Sequence, residues 1–578
     1  MRIAFLPIVS ALLAVAGCAT TPPPSQARGP SAMLGRGPSA TLGTGMVSAA
    51  DPRAADAGVQ MLRNGGSATD AALATLLALT VVEPQSSGIG GGGFLVHSDA
   101  KGSVATFDGR EEAPMAAGGD WFFRDGKPLA TSEAIPGGRS VGVPGNVRLM
   151  ALAHRAHGRL AWKAMFAPAI ALARNGFLVT PRLRNALARS RRTGALSAEA
   201  RAVFYGADGE PLAGGSRVRN LRLAAFLSEL AKRGPDAFYV GPNAQAIATT
   251  VSRAPLNPAP MTVGDLAAYD ARPRAPVCGT YRAHRICGMG PPSSGATTVF
   301  AILKQIERFD LPALGPRSPV AWHLIAESMR LAYADRDKFL ADPDHVAVPL
   351  AGLTDPVYLA RRSALIAPDR TMGQVAAGTP SGAPRVASAP HRAEQGTSHF
   401  VAADRFGNVA SLTSTIESVF GSGLMVNGYY LNNELTDFSI APTVGGMTVA
   451  NRVEGGKRPR SSMAPTIMFG PNGDVRLAVG AAGGATIIAQ VAKAIIGVVD
   501  WRLSAREAIA LPVLFAPGDT IFVERGSAHE AMIPALRALG HAKVETREPS
   551  FKANAIERKA GRWIGAADPR SEGVAIQQ

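Results

Sequence analysis

One junction constrains this chain more than any other stretch. A run rich in Pro, Gly, Ala and Ser, from Ala367 to Gln395, ends at Gly396-Thr397-Ser398-His399-Phe400. Beyond it, Ser398–Ala403, a turn at Asp404-Arg405-Phe406-Gly407-Asn408, and Val409–Thr415 read as a hairpin with Thr397 at its leading end. A threonine hydroxyl is a weak nucleophile at its own pKa, and the residue's own α-amine is one activator. That amine titrates at about 7.7–8.0 in model peptides, so it can accept the hydroxyl proton. It exists only if the chain is cut before Thr397. Gly396 suits such a cut, since a residue without Cβ tolerates the strained backbone that attack on its carbonyl needs. Alone, a G-T-S entry into a strand is ordinary; the rest of the chain must decide.

The 578 residues are ample for a large core or several domains. The net charge of +16 comes from 60 Lys and Arg against 44 Asp and Glu, scattered rather than striped. No helix-turn-helix, zinc-finger or RNA-binding aromatic motif accompanies it, so nucleic acid is not an expected partner. Met1-Arg2 precedes an apolar run, Ile3–Ala16, that is too short to span a bilayer and has the form of a secretory signal. It ends in Val15-Ala16-Gly17-Cys18, which resembles the lipobox of bacterial lipoproteins, with Cys18 as the lipidated residue. A plain signal peptide with an incidental cysteine is the alternative. Residues 1–17 are thus expected as the signal and 18–44 as a tether, giving an exported protein held at a membrane by lipid. Cys278 and Cys287 flank a strand–turn–strand pattern; a cross-strand disulfide and two unpaired thiols both remain open, and no zinc spacing is present.

Asp51–Leu62 is helical in pattern, and Ser67 with Asp70 forms a capping box for a second, Ala-rich helix. Ser87-Gly88-Ile89-Gly90-Gly91-Gly92-Gly93-Phe94 leads into a strand. It lacks the Lys-Ser/Thr and following helix of a phosphate loop, so close backbone packing is the better reading. Thr466–Phe469 and Val475–Gly480 form a second hairpin followed by a helix from Ile487 to Ile496. Hairpin then helix, repeated, points to sheets covered by helices.

Five ordered motifs carry more. They are the Gly-rich run, Phe107-Asp108-Gly109-Arg110-Glu111-Glu112-Ala113-Pro114, Pro291-Pro292-Ser293-Ser294-Gly295, Leu431-Asn432-Asn433-Glu434-Leu435-Thr436-Asp437-Phe438, and Arg458-Pro459-Arg460-Ser461-Ser462-Met463-Ala464-Pro465. Together they resemble the gamma-glutamyltransferases over about residues 45–575. The resemblance implies an α/β (α+β) fold of the N-terminal-nucleophile αββα type. It implies self-cleavage between Gly396 and Thr397 into a large subunit, 45–396, and a small one, 397–578. It also implies a second threonine, Thr415, bonded to the nucleophile, and an oxyanion pair, Gly483 and Gly484.

A γ-glutamyl group carries an α-carboxylate and an α-ammonium, so its pocket needs both charge signs at fixed places. Arg110 can fork onto the carboxylate, with Ser461 and Ser462 as further donors. Glu434 and Asp437 would take the ammonium, joined by Glu417, where well-studied members often have asparagine. Three carboxylates together imply that one is protonated or otherwise paired. Each residue also has a plainer reading: a surface ion pair of Arg110 with Glu111 and Glu112, a turn cap at Asp437, tight turns at the glycines. The stretch from Asp437 to Ser461 looks shorter than in members with a long lid over the pocket.

The expected activity is transfer of the γ-glutamyl group of glutathione or a related amide to water, an amino acid or a peptide, with no metal or organic cofactor. Two alternatives stand beside it. One is a same-fold acylase for glutaryl or cephalosporin side chains, or a poly-γ-glutamate hydrolase. The other is an inactive surface lipoprotein.

Overall fold

The computed structural model describes residues 44–389, 396–549 and 552–578. The leader and tether, Cys18 included, lie outside them apart from Thr44. Strands β1 (Met46–Ala49), β2 (Gly92–Ser98), β3 (Val104–Gly109) and β4 (Arg272–Arg274) come before the junction, as do β5 (Val277–Tyr281) and β6 (His284–Gly288). After it come β7 (Gly396–Ala403), β8 (Val409–Glu417), β9 (Thr466–Phe469), β10 (Val475–Ala482), β11 (Lys552–Lys559), β12 (Arg562–Ala567) and β13 (Val574–Gln577). They form a seven-stranded sheet in the order β13-β1-β7-β8-β2-β3-β4 and a six-stranded sheet in the order β12-β11-β10-β9-β6-β5. Neighbours in both are antiparallel.

The period-2 alternation of β7 sorts its two faces. Phe400 and Ala402 join the core under helices α1 (Pro52–Arg63) and α2 (Ala68–Val82). Val401 and Ala403 join a second core with strands of the other sheet. On that inner face the His399 ring lies so close to β10 that a Cβ at Gly480 would stand 2.4 Å from it. Helices α4 (Gly295–Ile306), α5 (Pro319–Phe339) and α6 (Thr486–Val499) belong to the second core, and α3 (Asn146–His157) to the first. The result is helix, sheet, sheet, helix.

Local chemistry sets the element ends as expected. Ser67 and Asp70 exchange both bonds of the capping box, and every residue of α2 is buried. The glycine run packs backbone on backbone: a Cβ at Gly90 would meet the Tyr430 carbonyl at 2.0 Å, and one at Gly91 the Thr415 carbonyl at 1.9 Å. Cys278 on β5 stands opposite Cys287 on β6 and is disulfide-bonded to it, with an S–S distance of 2.05 Å.

One expectation is corrected, and two stretches gain detail. The run from Ala367 is not a loose linker through its described part. Arg330 holds the Gly373 carbonyl, Arg362 Nη2 donates to the Ala376 carbonyl at 2.9 Å, and Ala387 N–H donates to Thr448 at 2.9 Å. Low apolar periodicity hid this because side-chain cations bind its backbone. Gly396 is also required by crowding: its φ is not positive, and a Cβ would meet the carbonyls of Glu417 and Ser418 at 2.6 and 2.9 Å. The span from Asp437 to Ser461 keeps a short exposed hairpin, Thr443–Val444 against Met447–Thr448, turning on Gly445-Gly446. Among the described residues no helix is long and apolar enough to cross a membrane.

Candidate active site

Thr397 sits where the ladder between β7 and β8 slips. Gly396 pairs with Glu417 and Ser398 with Ser414, so Thr397 alone faces both Thr415 and Ile416. Such a bulge re-aims side chains without breaking the sheet. Here it brings the Thr397 and Thr415 hydroxyls to 3.3 Å, and turns the Thr397 hydroxyl toward the carbonyl oxygen of Gly396. Thr415 Oγ1 donates to that same carbonyl at 2.7 Å while accepting from the Glu417 N–H at 2.8 Å. The Gly396 carbonyl is therefore polarised by a hydroxyl whose own orientation the backbone sets. Glu417 adopts a left-handed φ of 73°, uncommon for a residue with a side chain, which is found chiefly where structure over-determines it. Its carboxylate is bonded by Ser418 and Asn433.

Arg110 ends β3 in the loop that follows and is fully buried, so the surface-pair reading does not hold. Its guanidinium pairs with Glu434 and Asp437, both on one turn of 3₁₀ helix, Glu434–Asp437. Its remaining donors reach the carbonyls of Pro459 and Arg460, each at 3.1 Å. Glu112 instead belongs to Arg458, at 2.8 Å.

Glu111 stands behind, with its nearer oxygen 3.9 Å from Arg110 and neither oxygen hydrogen-bonded. It occupies room left by Gly92, where a Cβ would be 2.4 Å from its carboxylate. Three carboxyls, Glu111, Glu434 and Asp437, thus surround one guanidinium, and Glu417 feels it more weakly. Burial, against the pull of Arg110, lifts all four above the usual range, helped by carboxylate neighbours for Glu111, Glu417 and Glu434: Glu111 to about 7 and Glu417 to about 8. For Arg110, burial works against the charge, but Glu434, Asp437 and Glu111 outweigh it and hold the guanidinium firmly cationic.

Ser461 and Ser462 lie next in the loop that wraps Arg110. The Ser462 hydroxyl accepts from Arg336 Nη2 at 2.6 Å, and Arg336 Nε reaches Ser294 at 2.8 Å. Arg336 was missed from sequence; it lies inside α5, and nothing in the helical pattern sets it apart. Asn433 and Glu111 sat within quoted motifs, but their roles need the fold. Gly483 and Gly484 link β10 to the N-terminus of α6, with φ of 122° and 60° that favour glycine. Tyr333 fixes the next residue by donating to the Ala485 carbonyl. The helix start adds positive potential beside these two glycines.

Among the described residues, His323, Glu327 and His541 could together face a cation. Their atoms are already committed: the two rings bond each other at 2.7 Å, His323 Nε2 bonds the Ala367 carbonyl, and Glu327 accepts from Arg330, Thr371 and Met372.

Two sheets between helix layers, with a threonine at the head of a central strand and a buried charged cluster, define an N-terminal-nucleophile hydrolase fold. The family model for gamma-glutamyltranspeptidase matches residues 54–578. The glutathione hydrolase proenzyme of Bacillus subtilis strain 168 is 36% identical over 546 residues, covering 92% of this chain and 91% of that protein. The Acylase ACY 1 proenzyme of Pseudomonas sp. strain SE83 is 34% identical over 92% of this chain and 93% of its own. The crystal structure of a cephalosporin acylase from Bacillus halodurans superposes with a TM-score of 0.79 at 25% identity, covering 92% of this chain and 95% of that one. The chain belongs to the gamma-glutamyltranspeptidase family, and is an enzyme of γ-glutamyl transfer and hydrolysis.

Proposed function

We propose that the chain cuts itself before Thr397 and then works as a two-chain threonine enzyme on γ-glutamyl amides such as glutathione. The Thr397 hydroxyl adds to the Gly396 carbonyl, to which Thr415 donates. The peptide becomes an ester, water hydrolyses it, and Gly396 leaves as a carboxylate while Thr397 gains a free α-amine. That amine next accepts the hydroxyl proton as Thr397 attacks the γ-amide carbonyl, and returns the proton to the departing amine. Gly483 and Gly484 would hold the oxyanion. Water or an amino acid then takes the γ-glutamyl group.

One observation carries the substrate reading. Arg110 is flanked by Glu434 and Asp437 in a buried cluster. A zwitterionic head group can slip into that pair: its carboxylate takes Arg110, with Ser461 and Ser462 nearby, and its ammonium takes Glu434, Asp437 and Glu417. The exchange keeps each buried charge partnered, which burial demands.

A second reading, a glutaryl or cephalosporin acylase, is favoured by the acylase relatives. A glutaryl group has no ammonium and would leave these carboxylates unanswered. Turnover of γ-glutamyl and glutaryl anilides decides between them. We expect γ-glutamyl to be faster; faster glutaryl turnover overturns the choice, and release of glutamate from poly-γ-glutamate would extend it.

Residues 1–17 are proposed as an export signal and Cys18 as the lipid-bearing start of a tether, on the sequence alone. Intact mass of the membrane fraction, with Cys18→Ser as control, tests this; an unlipidated mature chain would refute it.

A further inference from the structure

Directly behind the nucleophile lies a buried ion pair that the chemistry above leaves unused. Glu83 follows α2 and Lys552 opens β11; they are 3% and 2% exposed. Lys552 Nζ donates to the Glu83 carboxylate at 3.0 and 3.2 Å, to Ser398 Oγ at 3.1 Å and to Ser86 Oγ at 3.2 Å. Ser398 Oγ donates in turn to Glu83 Oε2 at 2.7 Å. The hydroxyl next to Thr397 is thus gripped from two sides, by an acceptor and by a cation. The Ser86 carbonyl also accepts the Ile416 N–H at 3.3 Å, tying the same corner to the residue after Thr415. Arg182 approaches Glu83 at 3.5 Å from the surface side.

The cut makes this corner matter. Regular pairing on the small-chain side of the junction begins at Ser398↔Ser414. Once the bond before it is broken, Thr397 becomes a chain end, and chain ends are the least stable part of a strand. Its hydroxyl and amine then depend on how firmly one neighbour is held. We propose that Glu83 and Lys552 are positioning residues that clamp Ser398, and so keep the new N-terminal Thr397 in register with Thr415 and the substrate pocket. One jaw comes from each chain, Glu83 from the large and Lys552 from the small. The proposal rests on the reading of Thr397 as the N-terminal nucleophile.

The test compares the full-length protein with Ser398→Ala, Lys552→Met, Glu83→Gln and the double variant Glu83→Gln/Lys552→Met. The readouts are a denaturing gel, melting temperature, and kcat and KM on a γ-glutamyl anilide. The single variants are expected to be cut, to keep KM within about twofold, and to lose kcat by about 10- to 100-fold, since misplacement by about 1 Å costs on the order of 10²-fold. The double variant removes the buried unpaired charge, so its melting temperature should recover from that of the worse single. Its kcat should stay low, because Ser398 keeps at most a neutral amide acceptor and has lost its cationic jaw. A kcat that recovers together with stability would reduce the pair to a structural role and overturn the proposal. Where a charge variant fails to fold, Ser398→Ala decides, since it deletes one hydroxyl and leaves the pair intact; wild-type kcat there refutes the clamp. A wild-type chain that stays uncut and inactive overturns the nucleophile reading and the clamp with it. A cut, active wild type whose variants keep kcat overturns the clamp alone.

Discussion

The two ends of the site are built on opposite terms. Around Thr397 the working groups are neutral: two hydroxyls, a scissile carbonyl and a backbone N–H, placed by one irregular step between β7 and β8. Around Arg110 three carboxyls crowd one cation, with Glu417 within reach of its field. Geometry at the first end is set by the sheet, so it should be insensitive to pH before the cut and intolerant of shape change. The second end holds more negative charge than it can keep ionised while empty, so its properties should follow proton and substrate concentration. Bond-making and recognition are thereby kept apart, and substitutions can separate them.

The largest expected effect lies at the neutral end. Thr397→Ala should give a single full-length band and lower turnover by at least about 10³-fold, because nucleophile and base disappear together. Two bands from that variant would break the comparison outright. Thr415→Val keeps the shape and deletes the donor to the Gly396 carbonyl. Cleavage, followed by gel over time, should slow by about 10²-fold, the typical cost of one lost oxyanion donor.

At the charged end, Arg110→Lys keeps the charge but loses the fork. The chain should still be cut, while KM rises roughly 30- to 150-fold, corresponding to about 2–3 kcal/mol for a charged hydrogen bond. Slowed cutting there would show that the two ends are coupled.

The smallest effect is a pH slope. Glu417 is raised from an ordinary 4.5 to about 8, chiefly by burial and then by Asp437. Between those values the folded chain holds more protons than the unfolded one, so stability falls as pH rises. The melting temperature of the empty enzyme should therefore decline from about pH 5 to about pH 8.5, and Glu417→Gln should flatten that decline. Substrate affinity should move the other way, strengthening as Glu417 ionises and offers charge to the ammonium.

Much of the neutral end was legible in sequence. A turn at Asp404–Asn408 between alternating runs placed Thr397 and Thr415 on paired strands, and the capping box at Ser67 needed no tertiary information. The bulge was not legible, because alternation reads the same whether or not one pair slips. At the charged end the order of motifs brought Arg110, Glu434, Asp437 and Ser462 into one list. Burial is a property of the whole fold, so Glu111 could not be told from a surface carboxylate. Arg336 and Lys552 reach the site from elements far along the chain, and ordinary helix and strand patterns conceal them.

The order of the first sheet carries one more consequence. Strand β1 precedes the cut, yet it lies between β13 and β7, which both follow it, and β8 of the small chain is bonded to β2 of the large. The second sheet is shared likewise, β9 being bonded to β6. On the proposed cut, the two products would be interwoven by backbone ladders rather than docked. An interface of shared sheets should resist dilution, so activity per molecule should not depend on protein concentration. Unfolding is another matter, since the continuous chain that once threaded β1 into place no longer exists. We expect the uncut chain to refold to an active enzyme more readily than a denatured, cut sample; equal recovery of activity from both would show that β1 needs no covalent template.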